Sequence, residues 1–280
     1  MIIRVRQRAS RGFRWFIEPI FSITLSNNDF EILESIKAYF GVGNLTISKT
    51  RDCSIYTVSS LEDLTNIIIP HFLKYPLITK KQIDFLLFQK VIELLNAKEH
   101  LTEEGLGKIV NIKASLNRGL TESLKEAFPN CNPVLKPSLI YTEILDPNWL
   151  SGFVNGDGCF SAYIKRISST PVIKVIIRLK LNITQHSRDF ELLNNIKKYL
   201  NCGFVVKSKK DTISDLVVTK LEDLVDKVIP FFNKYPLLGC KKKDFNDWSR
   251  IVNLVREKAH LMEKGLNQIE VIIEEIRNRK

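Results

Sequence analysis

Hydrophobic and polar positions along the chain follow two periods. Near the start, Ile3 and Val5 alternate with Arg4, Arg6 and Arg8, a period of two that predicts a strand with cations on one surface. The same alternation returns later: Lys174, Arg178 and Lys180 share one face, and Val175, Ile177, Leu179, Leu181 and Ile183 share the other. A helical period governs 28–40 and 188–200, where Phe30, Leu33 and Ile36, then Phe190, Leu193 and Ile196, form apolar stripes. The patterning predicts strands at 2–8, 14–25, 44–50 and 54–60, and again at 159–167, 172–185, 204–210 and 213–219. It predicts longer helices at 79–96 and 239–258, closing helices at 102–117 and 262–278, and a short helix within 119–128. A further helix over 147–157 starts at Asp146, a good N-cap, with Pro147 at the position where no N–H is needed.

These elements come twice. Asp29-Phe-Glu-Ile-Leu returns as Asp189-Phe-Glu-Leu-Leu, Leu61-Glu-Asp-Leu64 as Leu221-Glu-Asp-Leu224, and Lys74-Tyr-Pro-Leu77 as Lys234-Tyr-Pro-Leu237. Lys98, His100 and Gly105 match Lys258, His260 and Gly265. Each pair differs by 160 positions (189 − 29, 258 − 98), and from Ser26 onward the halves align without a gap. One offset held that far means two related domains. Pro129, Pro133 and Pro137 break the pattern between them, giving a first domain at 1–128, a linker at 129–145 and a second domain at 146–280.

Charge narrows the class of partner. The net charge of +11 over 280 residues favours a polyanion, and the cations gather on strand faces where acids are few. Lys165, Lys207, Lys209, Arg14, Lys49 and Arg51 are expected to extend those faces. A two-stranded ribbon of this kind fits the major groove of duplex DNA. Five scattered cysteines make no C-x-x-C pair, which argues for a reducing compartment and against a zinc site. No apolar run reaches the roughly 20 residues that a membrane span needs.

The sharpest motif is Leu150-Ser-Gly-Phe-Val-Asn-Gly-Asp-Gly158. Gly152 and Gly156 lie four apart on a helix that carries Leu150 and Phe153, so another backbone could approach closely, and the helix ends on Asp157. This stretch resembles the signature of the LAGLIDADG homing endonucleases at Leu150, Gly152, Asp157 and Gly158, with common variants at Phe153, Val154 and Gly156. Asn155 departs from it, since that family usually has an Asp there.

The resemblance implies an α+β fold of two pseudo-symmetric domains, each a saddle-forming four-stranded antiparallel sheet with packing helices. It implies Mg²⁺-dependent, site-specific cleavage of double-stranded DNA by the product of a mobile intron, in a mitochondrion. Carried over, Asp157 is the metal-binding acid, Gln185 a water-organising side chain, and Lys98 and Lys258 the active-site lysines. Leu150, Gly152, Phe153 and Gly156 become the interface with a twin helix. Leu25 stands where the first half would carry the counterpart of Gln185. At the 160-residue offset Met1 corresponds to Ser161, so a first motif is expected in frame upstream of Met1, and with it a monomer. Two other readings share the basic surface: a maturase that binds its own intron RNA, and an inactive DNA-binding remnant.

Overall fold

In a computed structural model, residues 1–7, 15–116, 119–137, 143–144, 146–169, 172–208, 210 and 212–279 are described. The chain forms two compact units, Met1–Ile140 and Tyr141–Lys280. The division falls within the stretch 129–145. Part of that stretch belongs firmly to the first unit: Asn132 N–H donates to Asn111 Oδ1, and Ser115 Oγ donates to the Val134 carbonyl.

In the first unit, β1 (Ile2–Gln7), β2 (Trp15–Leu25), β3 (Asn44–Ile47) and β4 (Ser54–Val58) form an antiparallel sheet in the order β1-β2-β4-β3. In the second, β5 (Gly158–Ser169), β6 (Val172–His186), β7 (Phe204–Lys207) and β8 (Ile213–Val218) repeat it as β5-β6-β8-β7. The α+β class and the four antiparallel strands per repeat are as the sequence implies. Helix α1 (Phe30–Phe40) covers one face of the first sheet, as α7 (Phe190–Leu200) does in the second.

The register corrects one correspondence. Arg4 lies opposite Glu18, and Tyr163 lies opposite Arg178. Strand β2 therefore maps to β6 at 160, but β1 maps to β5 at 159 (163 − 4), and Met1 corresponds to Phe160 instead of Ser161. A period of two makes that one-residue slip matter, because it moves every side chain to the opposite face.

A helix that patterning missed spans 61–74 in the first unit (α2) and 221–234 in the second (α8). Each copy contains a proline, Pro70 or Pro230, and an interior proline lacks the N–H and clashes with the carbonyl four residues back. The chain avoids the clash by widening the preceding turn. Ile69 N–H bonds to the Leu64 carbonyl and Ile229 N–H to the Leu224 carbonyl, each five residues back. The remaining helices of the first unit are α3 (Lys81–Asn96), α4 (Glu103–Ser115) and α5 (Glu122–Ala127). Those of the second are α6 (Pro147–Asp157), α9 (Gly239–Arg256) and α10 (Glu263–Asn278).

Aromatic side chains hold each core. Phe21 meets Phe40, Tyr56 and Phe72 in the first unit. In the second, Phe160 meets Phe232, Phe245 and Trp248, and the fully buried Trp248 donates its indole N–H to the Ser161 carbonyl at 3.1 Å. Among the described residues no helix is long and apolar enough to cross a membrane.

The repeated Gly105 and Gly265 have a steric cause. A Cβ on Gly105 would lie 2.0 Å from the Glu99 carbonyl oxygen, and one on Gly265 2.1 Å from that of Ala259. Gly107, in the same helix, has open space around it. Gly105→Ala and Gly265→Ala should each destabilise by on the order of 3 kcal/mol. Gly107→Ala should stabilise by about 0.5–1 kcal/mol, because it removes a helical glycine at no steric cost. Thermal melts of the three variants check the contrast.

Candidate active site and nucleic-acid face

Helix α6 forms where the sequence places it. Asp146 Oδ1 accepts from Asn148 N–H at 2.8 Å, and Pro147 occupies the first turn. Leu150 and Val154 are fully buried on one stripe, and Gly152 and Gly156 are exposed with open space at their Cβ positions. Trp149 and Phe153 stack beside the glycines, with ring centroids 4.9 Å apart. Leu150 thus does not share the glycine face. Two residues along a helix turn the direction by about 200°, so Leu150 and Gly152 point nearly opposite ways.

Asp157 is the last residue of α6, and its side chain is exposed. Gln185 Nε2 donates to Asp157 Oδ2 at 2.8 Å, so these two expected site residues meet. Gln185 reaches α6 because it lies on the face of β6 that also carries Leu181 and Ile183, the side away from Arg178 and Lys180. Asp157 Oδ1 has no partner among the described residues. The backbone around the acid is held closely. Gly158 folds over the last turn so tightly that a Cβ there would lie 2.5 Å from Val154 Cγ1.

Three contacts that patterning did not single out fasten α6 and the residue after it to the turn before α9 and to the first turn of α9. Ser151 Oγ donates to the carbonyls of Tyr235 (2.9 Å) and Pro236 (3.2 Å). Leu238 N–H donates to Asn155 Oδ1 at 2.8 Å. Lys241 Nζ donates to the Gly158 carbonyl at 2.6 Å. The signal was present as the repeated Lys-Tyr-Pro-Leu, but a turn sequence alone does not name what it grips.

Lys98 and Lys258 follow α3 and α9 in the same strained conformation, with φ of 57° and 59°. Only one other described non-glycine residue, Asn201, has positive φ. Neither lysine side chain has an ion-pair or hydrogen-bond partner among the described residues, and Lys258 is not bonded to Asp157. His100 and His260 follow them, each with Nδ1 buried and without a partner. Burial pushes the His100 pKa down, which favours the neutral ring. No group of three or more His, Cys, Asp or Glu that could hold a metal occurs among the described residues.

The outer face of the second sheet carries Lys165, Arg178 and Lys180, with Tyr163 opposite Arg178. None of these three cations has an ion-pair partner among the described residues. Asp215 also lies on this face and accepts from Asn182 Nδ2 (3.0 Å) and Thr184 Oγ1 (2.5 Å). Lys207 does not belong there. It pairs with the buried Ser214 on the opposite face, and its Nζ sits 4.8 Å from the Phe190 ring centroid. In the first unit Arg4 and Arg6 both reach Glu18 Oε2 at 3.4 Å. Glu18 and Ile20 occupy the positions of Arg178 and Lys180, which makes that sheet face less basic. Lys49 and Arg51 lie beyond β3, which ends at Ile47, on an exposed turn instead of the strand. Arg8, Arg14 and Lys209 are outside the described residues, as is the side chain of Lys174.

The profile of a family described as LAGLIDADG endonuclease matches residues 1–92 and 150–252. The chain belongs to the LAGLIDADG endonuclease family. It is 35% identical over 273 residues to the probable intron-encoded endonuclease 3 of Neurospora crassa, covering 97% of this chain and 51% of that protein. To the probable intron-encoded endonuclease 2 of the same organism it is 36% identical over 267 residues, covering 91% and 57%. The chain thus spans about half the length of these curated relatives. Among solved structures, the I-SmaMI LAGLIDADG homing endonuclease bound to cleaved DNA is 42% identical with a TM-score of 0.93, covering 97% of this chain and 90% of that one. The I-LtrWI LAGLIDADG homing endonuclease bound to target DNA is 38% identical with a TM-score of 0.92, covering 97% and 91%.

A LAGLIDADG chain that keeps two lysines in a glycine-favoured conformation holds strain at both repeats. Left-handed backbone costs an L-residue roughly 1–2 kcal/mol. Lys98→Gly and Lys258→Gly should therefore each raise the melting temperature by roughly 2–4 °C. Differential scanning calorimetry reads this directly.

Proposed function

We propose that this chain is a site-specific endonuclease of a mobile intron that cuts double-stranded DNA in the presence of Mg²⁺. The observation that carries the reading is Asp157, fixed at the end of α6 with one oxygen held by Gln185 and the other open. A hard divalent ion fits this donor set. Mg²⁺ takes few protein carboxylates and completes its shell with water and substrate phosphates, so a single exposed acid can serve as its protein ligand. Calcium, a cation of the same kind, is present with I-SmaMI on uncleaved DNA. When bound, the ion supplies an activated water and neutralises charge on the phosphate.

The chain's own residues do the rest. Asp157 Oδ1 faces the ligand position, and Gln185 keeps the carboxylate oriented and offers its amide to a water. Lys258 and Lys98, each without a partner among the described residues, are suited to stabilise charge on phosphate oxygens. Arg178, Lys180 and Lys165 grip the DNA backbone and base edges from the strand face, and Tyr163 lies among them. Lys174, Arg8, Arg14, Lys209, Lys49 and Arg51 supply further cations, and Arg4 and Arg6 are tempered by Glu18. The intron-encoded names of the relatives, one a protein in ND4 intron 1 of Podospora anserina, support expression from a mitochondrial intron.

Asp157→Asn should abolish Mg²⁺-dependent cutting by the second repeat while DNA affinity stays near wild type, because the amide keeps the shape and loses the charge. Cleavage and gel-shift assays on one duplex separate the two effects, and cutting of both strands by the variant would remove Asp157 from the mechanism. Binding should also depend steeply on salt: with about ten phosphate contacts, log K falls against log salt with a slope near about −9. Arg178→Glu should weaken binding far more than Lys264→Glu on α10. Equal losses would contradict the strand-face assignment.

A further inference from the structure

We propose that the turn 235–238 and the first turn of α9 form a clamp that sets the position of the Asp157 carboxylate, with Ser151, Asn155 and Lys241 as positioning residues. This inference rests on the reading of Asp157 as the metal-binding acid. Ser151 and Asn155 lie four apart on α6, one helical turn, and the Gly158 carbonyl continues their line. Ser151 and Asn155 bond to the turn 235–238, and the Gly158 carbonyl bonds to Lys241 in the first turn of α9. The chain is therefore held two residues before Asp157 by Asn155 and one residue after it by Lys241, and Gln185 orients the side chain itself.

The chemistry of each contact is directional. Asn155 acts as an acceptor, so any side chain with an oxygen at that place can serve, and a carboxylate would serve as well as an amide. Lys241 acts as a donor to a carbonyl at the C-terminal end of α6. There its charge also opposes the negative pole of the helix, which Asp157 would otherwise meet unaided. The repeated Lys-Tyr-Pro-Leu gains a role from this. Tyr235 and Pro236 turn their carbonyls toward Ser151, and α9, which follows directly, presents Lys241. Groups that orient a metal ligand without touching the metal typically shift metal affinity about 10–100-fold.

The test uses the full chain and a duplex selected by it from a randomised library in EDTA. Two quantities are measured by calorimetry: affinity for that duplex without metal, and uptake of Ca²⁺ by the protein–duplex complex. Asn155→Leu and Lys241→Met should weaken Ca²⁺ uptake by about tenfold or more and leave duplex affinity within about twofold. Asn155→Asp and Lys241→Arg should restore uptake, because they restore the acceptor and the donor. Asn155→Leu keeps the volume, so a role in packing alone would leave both quantities unchanged and overturn the proposal. A loss confined to duplex affinity, with Ca²⁺ uptake intact, would make Lys241 a DNA contact and overturn it too. If Asn155→Leu does not fold, Ser151→Ala removes two bonds of the clamp at the cost of one oxygen and is judged by the same two readouts. Failure to select any duplex would instead defeat the endonuclease reading itself.

Discussion

A carboxylate at the last residue of a helix sits at the wrong end of the dipole. The C-terminal pole of α6 carries about half a negative charge, and Asp157 adds a full one. Such an arrangement persists only when the surroundings dictate it, and here they do so from three sides. Gln185 donates to the carboxylate, Lys241 donates to the next carbonyl, and Gly158 lets the strand leave without displacing either. What remains is an exposed oxygen with negative charge beside it, a place that attracts a cation. The helix N-cap, the sheet that presents Gln185 and the turn that presents Lys241 all serve that one placement.

The two repeats share a fold and differ in chemistry. At corresponding positions the second has Gln185, Arg178 and Lys180 where the first has Leu25, Glu18 and Ile20. Lys98 and Lys258, by contrast, are matched to within two degrees of φ. Sequence divergence has thus fallen on the sheet faces while the turn that aims each lysine is kept, with its glycine, by steric necessity. The strand faces are where such a protein can change what it recognises without changing how it folds.

Most of this architecture could be read from the sequence because it follows from periodicity. The boundaries of α6 and the eight strands rest on patterns that local chemistry decides, whereas Asp157 and Gln185 were named together only through the resemblance to the LAGLIDADG family. The misreadings arose where distance or register decides. Pro70 and Pro230 hid a helix because a widened turn is a backbone response that leaves no compositional trace. The shift of β1 against β5 is one residue of strand register, and Lys207 changed faces because its strand partner is Ser214. Leu150 was grouped with the glycines by motif membership, whereas its helical angle takes it into the core. The clamp of Ser151, Asn155 and Lys241 joins residues 83 to 85 positions apart in sequence (238 − 155, 236 − 151), beyond the reach of any local pattern.

The central claim is that Asp157 Oδ1 binds a divalent ion shared with a DNA phosphate. The most direct measurement is anomalous scattering from Mn²⁺ in crystals of the protein with a selected duplex. The account predicts a peak within coordination distance of Asp157 Oδ1 and of a phosphate oxygen, with Gln185 still on Oδ2. A peak held by other residues, with Asp157 bonded only within the protein, would contradict it.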